Sequence, residues 1–297
     1  MTQMRNKDLC DKLERIARKA GDIIMDYYHN GTEAMIKADK SVVTKADQDA
    51  EAYVTQALQK LTPNIPILGE ESTAAGKKTD ISGGTFWAID PLDGTSEFVN
   101  KSKGFAVLIG LVEDHKPTIG VVYHPALDLM YSAHGANTAK RTNPDGSIDE
   151  LSTENKAKDG RVHMVLNANY ADIKAVFNEL SKDSRAKGQK EEFRVHGEKV
   201  THIRQSHPIY KFALVAEGAT QHHMHVSKRK GDGTNIWDIV AGHALLNGAG
   251  GSIVGFDKKP ILYGKNTLDN YRVQPFIASH QSEQQLRKFY KSKGFKR

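Results

Sequence analysis

Acidic residues that lie far apart in the chain stand where ordered segments end. In WAIDPLDGTSEFV, residues 87–99, an apolar run closes on Asp90, Pro91 is expected to turn the chain, and Asp93 follows three residues later. A residue before proline avoids the helical region, so Asp90 should be extended, while Asp93-Gly94-Thr95 can open a helix whose free N–H groups face outward. Two carboxylates beside such amides make a cation site next to an anion site. In ILGEES, Glu70 and Glu71 close another apolar run; adjacent residues of an extended chain point to opposite faces, so one of them, taken as Glu70, faces the same pocket. Asp238, in GTNIWDIVAGHALLNGAGG, lies near the N-terminal end of an apolar helix, where the helix dipole favours a carboxylate. Taken singly, Asp93 and Asp238 could be helix caps and Glu70 a solvated turn residue.

Hard oxygen donors next to a phosphate-sized anion site specify Mg²⁺ rather than zinc. Cys10 is the single cysteine, so no disulfide and no cysteine-based zinc site can form within the chain. Phosphate monoesters hydrolyse extremely slowly without help, and paired ions supply the charge stabilisation that the reaction needs. The expected activity is therefore that of a Mg²⁺-dependent phosphatase. Two other classes compete: a glycosidase, which needs paired acids but no metal, and a non-enzymatic anion or RNA binder using the basic runs at 187–199 and 227–230. Those runs lack the interleaved aromatic residues of single-strand binding surfaces, so nucleic acid is not expected as a partner.

The elements that must position these acids follow from periodicity. Apolar residues three and four apart predict a helix over 7–28 and another from Asp47 until Pro63 stops it. Short β-like runs follow at 65–70, 85–90, 105–113, 118–125 and 129–134. The second half alternates, with a strand at 162–167 and helices at 171–180, 210–217 and 235–247. Such alternation predicts a layered α/β fold, with a soft boundary in the polar stretch 145–160. The longest apolar runs are far shorter than the roughly 20 residues of a membrane span, and the N-terminal residues, charge alternating with apolar side chains, are expected to be mature protein rather than an export signal. A cytoplasmic protein is expected, with a peripheral place on the cytoplasmic face of the inner membrane and a homodimer both left open.

GEES at 69–72, WAIDPLDGT at 87–95 and NIWDIVAG at 235–242 resemble, in order and separation, the inositol monophosphatase superfamily. DPLDGTSEFV, GVVYHP, KFALVAEGATQ at 211–221 and NIWDIVAGHALL look most like its bacterial 3'(2'),5'-bisphosphate nucleotidase branch. The resemblance covers nearly the whole chain. It implies a sugar-phosphatase-like α-β-α-β-α sandwich of two packed halves: residues 1–150 with most metal ligands, and 151–297 with Asp238 and the elements that select substrate. It further implies that Glu70, Asp90, the Leu92 carbonyl, Asp93 and Asp238 bind two or three Mg²⁺ ions and that Gly94 and Thr95 cradle phosphate. Asp47, in VVTKAD, would pair with Thr95 to orient the attacking water, and Li⁺ would inhibit by competing for one metal position. Lys211 joins Glu70, Leu92, Asp93, Gly94, Thr95 and Asp238 as a substrate contact.

The implied reaction is hydrolysis of adenosine 3',5'-bisphosphate to AMP and phosphate, with the sulfated relative of that nucleotide as a second substrate. Inositol monophosphate is the nearest rival, but inositol monophosphatases usually carry asparagine where Glu97 stands. Two stretches depart from the branch. SHPIYK at 206–211 replaces a Gly-Ser-Ser-type run before Lys211, and HHMHVSKRKGDG at 222–233 is long and histidine-rich. His222–His225 are expected in a solvated loop, the alternative being an accessory transition-metal site.

Overall fold

The computed structural model describes residues 2–36, 42–154, 163–166, 194–195, 198–199, 202–205, 211–225, 233–265, 267 and 271–292. Helix α1 spans Thr2–Asn30, longer at both ends than periodicity indicated. Its stripe of Leu9, Leu13, Ile16, Ala17, Ala20 and Ile24 is buried, and Gly31, at φ +87°, ends it with an amide bond to the Tyr27 carbonyl. A short hairpin of β1 (Ala34–Ile36) and β2 (Val42–Thr44) leads into α2 (Lys45–Leu61). Thr44 and Asp47 form a reciprocal capping box at the start of α2, fixing where the helix begins.

Both helices lie against a seven-stranded sheet ordered β3-β4-β5-β6-β7-β8-β9. Its strands are β3 (Ile67–Gly69), β4 (Phe86–Asp93), β5 (Ala106–Glu113), β6 (Lys116–His124), β7 (Leu129–Ala133), β8 (Lys140–Thr142) and β9 (Ile148–Glu150). The short helices α3 (Glu70–Ala74) and α4 (Thr95–Val99) leave the ends of β3 and β4. Strand β3 runs parallel to β4 and the other neighbours are antiparallel, so residues 69–70 and 90–95 emerge at one end of the sheet. The continuous apolar runs of β4, β5 and β6 are buried because helices cover both faces of the sheet.

The second face receives α5 (Lys211–Ala216) and α6 (Val240–Gly248), which pack on each other. Beyond them lies a five-stranded mixed sheet of β13 (His202–Gln205), β10 (His163–Leu166), β14 (His222–His225), β18 (Phe276–Ser279) and β16 (Ser252–Gly255). Two small ribbons, β11 (Arg194–Val195) with β12 (Glu198–Lys199) and β15 (Thr234–Asn235) with β17 (Arg272–Val273), a 3-10 turn at Pro125–Leu127 and a last helix α7 (Glu283–Ser292) complete the described elements. The layered α/β expectation holds, as successive α, β, α and β layers. The helix expected over 171–180 lies outside the described residues. His222–His225 are not a solvated loop. They form β14, whose first three residues are buried between β10 and β18, because flanking strands supply the apolar surroundings that a polar-looking sequence conceals.

One contact decides how the second half meets the first. Gly110 and Gly120 are register partners on β5 and β6, and α6 lies directly over them. A methyl group on Gly110 would come within 2.8 Å of the Ala241 amide nitrogen, and one on Gly120 would run into the Ala241 carbonyl. The pair forms a flat patch that lets a helix backbone rest on the sheet. Gly120→Ala is therefore expected to destabilise by about 3 kcal/mol, the upper part of the range for overpacking, read as a lower urea midpoint. An unchanged midpoint would show that this seat is not tight.

Candidate active site

Strand β4 does not turn at Pro91 as the sequence suggested. It continues to Asp93 through a bulge in which Asp90 pairs with Leu108 and Asp93 with Ala106, so β4 carries one residue more than β5. Proline, which has no N–H to give a ladder, is tolerated at such an irregularity. The Leu92 amide turns instead to Asp90 Oδ1 at 3.0 Å. On a regular strand residues three apart face opposite sides; the extra residue cancels that inversion for Asp90 and Asp93.

Glu70 and Glu71 are the first two residues of α3 rather than the end of a strand. The N-cap is Gly69, which has no side chain with which to cap. Glu51, reaching across from α2, accepts hydrogen bonds from the Glu71 and Ser72 amides, both at 2.7 Å. Asp238 sits in the tight turn before α6, which starts at Val240 rather than at Asn235; the Ile239 amide bonds the Ile236 carbonyl at 3.1 Å. The capping alternatives fail for both acids, since Gly94 and Ile239 hold the N-cap positions of α4 and α6 and neither helix has a side-chain cap.

These elements bring Glu70, Asp90 and Asp238 together, each with a carboxylate oxygen within 4.8 Å of the others. Asp93 is outside that mutual group, although its charge acts on Asp90 and on Lys211. Burial, followed by the charges of Glu70, Asp93 and Asp238, holds the Asp90 carboxyl well above the usual carboxylate range. An all-oxygen donor set around a carboxyl so disfavoured as an anion fits a hard divalent cation, whose charge reverses the local field.

Two residues beyond Asp93, Thr95 donates from Oγ1 to Asp47 Oδ1 at 2.8 Å. The other Asp47 oxygen accepts from the Thr44 amide at 2.7 Å and the Thr44 hydroxyl at 2.6 Å. Burial raises the Asp47 carboxyl above its ordinary value, while the bonds from Thr44 and Thr95 pull it back. Gly94, at φ +91°, adopts a conformation that a side chain would strain. Lys211 opens α5, buried, and burial lowers its ammonium to about 8 despite the nearby Asp93 charge. Its own charge adds to burial in lowering His225, which stacks on Phe276, to about 4. Among the described residues no histidine joins a group of potential metal ligands.

Glu51 and Thr44 were not singled out from the sequence. Thr44 was readable from the T-x-x-D spacing of a capping box, whereas the partners of Glu51 lie twenty residues away and leave no local signal.

The model of the inositol monophosphatase family matches residues 6–287. The chain belongs to that family. Within the inositol monophosphatase family, it is 35% identical over 258 residues to the 3'(2'),5'-bisphosphate nucleotidase CysQ of Escherichia coli strain K12, covering 86% of this chain and 94% of that protein. The crystal structure of CysQ from Bacteroides thetaiotaomicron superposes with a TM-score of 0.67 at 25% identity, covering 93% of this chain and 97% of that one. An inositol monophosphatase from Anabaena shares the fold, with a TM-score of 0.63 at 23% identity over 96% of both chains.

Asp90→Asn removes one charge from the cluster while leaving an oxygen for the Leu92 amide. In EDTA this variant is expected to melt about 2 °C or more above the native protein, and added Mg²⁺ is expected to raise the melting temperature of the native protein more than that of the variant. The pH dependence has a definite sign. Because the folded-state Asp90 carboxyl titrates above its ordinary value of 3.8, its stabilising contribution is present at low pH and is lost as pH rises from there. Thermal melts of the metal-free protein across pH should show this loss, and those of Asp90→Asn should lack it.

Proposed function

We propose that this inositol monophosphatase family member is a Mg²⁺-dependent phosphomonoesterase that removes the 3'-phosphate of adenosine 3',5'-bisphosphate, giving AMP and phosphate. The observations that carry the reading are the Glu70, Asp90 and Asp238 cluster and the Thr95–Asp47 pair, with Thr95 two residues along the chain from Asp93, whose charge acts on Asp90. The CysQ relatives, 3'(2'),5'-bisphosphate nucleotidases by name, support the substrate class.

Glu70, Asp90, the Leu92 carbonyl, Asp93 and Asp238 would hold two or three Mg²⁺ ions, which when bound neutralise phosphate charge and acidify water. Thr95 commits its proton to Asp47, so its oxygen is left to accept a hydrogen bond from water and aim it. Asp47 is in turn fixed by Thr44, which holds Thr95 in that role. The turn at Gly94 presents backbone amides to the reacting phosphate without a side chain in the way. Lys211 provides a cation for a substrate phosphate; with its ammonium near 8 it carries charge at neutral pH. Li⁺ competes for a metal position. The described residues contain no helix long and apolar enough to cross a membrane; the names of the CysQ relatives support a small phosphorylated nucleotide as the partner.

Phosphate release should be compared at equal concentrations of adenosine 3',5'-bisphosphate, its sulfated relative and inositol monophosphate, with Mg²⁺, with added Li⁺ and with excess EDTA. The nucleotides should be hydrolysed faster, and EDTA should abolish release. Preference for the inositol ester would transfer the assignment to that substrate, and full activity in EDTA would end the metal reading. Thr95→Val should lower kcat by about 10²-fold or more with a much smaller change in KM, as expected when a group that aims the reacting water is lost.

A further inference from the structure

Helix α2 carries two buried acids four residues apart, Asp47 and Glu51. That spacing puts both on one face of the helix, one turn from each other. Asp47 reaches the first residue of α4 through Thr95 Oγ1, and Glu51 reaches the first turn of α3 through two backbone amides. Glu51 is only 5% exposed and is not among the residues to which the proposed function gives a metal or substrate contact. Its two oxygens are divided between the Glu71 and Ser72 amides at 2.7 Å each.

Gly69 completes the arrangement from the other side. Its backbone, at φ −114° and ψ 152°, is extended and open to any L-residue, so conformation does not require glycine there. Space does: a Cβ at this position would lie 2.6 Å from Glu51 Oε1 and 2.9 Å from Oε2. Glycine leaves room for the carboxylate that holds α3.

We propose that Glu51 is a positioning residue for the metal cluster: by clamping the Glu71 and Ser72 amides in the space left by Gly69, it fixes the direction in which Glu70 leaves α3. The same face of α2 then aligns both short helices at the site, α3 through Glu51 and α4 through Asp47. A neutral or shorter side chain at 51 frees the backbone of residues 70–72. Partners in this outer position typically contribute 10- to 100-fold to metal affinity. The inference rests on the reading of Glu70, Asp90 and Asp238 as metal ligands.

The test is direct metal binding to the metal-free protein, with Mn²⁺ followed by electron paramagnetic resonance and Mg²⁺ by calorimetry, alongside thermal melts in EDTA. Glu51→Gln puts an N–H group where an amide donates, and Gly69→Ala displaces the carboxylate without straining the backbone. Both are expected to weaken metal affinity about tenfold or more, and turnover should recover as Mg²⁺ is raised to saturation. The two losses should not add in the double variant, because they remove one contact. Native affinity in folded Gly69→Ala and Glu51→Gln, with melting temperature alone reduced, would overturn the proposal. If Glu51→Gln does not fold, Gly69→Ala decides by the same measurement. Absence of metal binding by the native protein would instead overturn the metal-site reading itself.

Discussion

Carboxylates gathered in a buried place repel one another, and each also loses hydration. At Asp90 both penalties act together: the side chain is 4% exposed and faces the charges of Glu70, Asp93 and Asp238. Side chains alone would relieve this by swinging apart. They stay together because each is placed by backbone held elsewhere: Asp90 by a strand paired on both sides, Glu70 by a helix whose first turn Glu51 grips, and Asp238 by a turn leading into a seated helix. A divalent cation would reverse this unfavourable local field.

The support is layered by sequence distance. Asp90 lies on β4 and Glu70 opens the helix that directly follows β3; the parallel pairing of these strands places Gly69 opposite Ile89. Asp47 comes from a helix that packs over those strands, and its bonds to Thr44 also define where that helix starts. Asp238 comes from the other side of the sheet, and its approach is set by bare backbone at Gly110 and Gly120. Small residues and caps thus do as much to build the site as the acids themselves.

Much of this could be read in the sequence. Asp90 and Asp93 stood out because a buried run ended in closely spaced acids, and the helices on either side of Asp47 and Asp238 were visible in their apolar spacing. The family resemblance added Asp47 and Thr95, whose side chains do meet. What stayed hidden was nonlocal. Pro91 signals a turn by its local preference, yet sheet pairing on either side carries β4 through it as a bulge. His222–His225 look polar, but β10 and β18 make them interior. Glu70 and Glu71 were assigned to a strand end because the five-residue helix that they begin is too short to show a period. The clamp by Glu51 joins groups twenty residues apart, and no window along the chain contains its reason.

The seating of α6 also bears on how the molecule comes into being. Strands β3 and β4 with α2 can pair early in synthesis, bringing Glu70, Asp90 and Asp47 into proximity, while Asp238 is not yet translated. Only when the chain has been made beyond residue 248, and its helix has settled on Gly110 and Gly120, does the last acid arrive. A nascent or truncated chain therefore has an incomplete cluster, and on the proposed metal reading the ability to hold ions would mark a polypeptide that has finished folding.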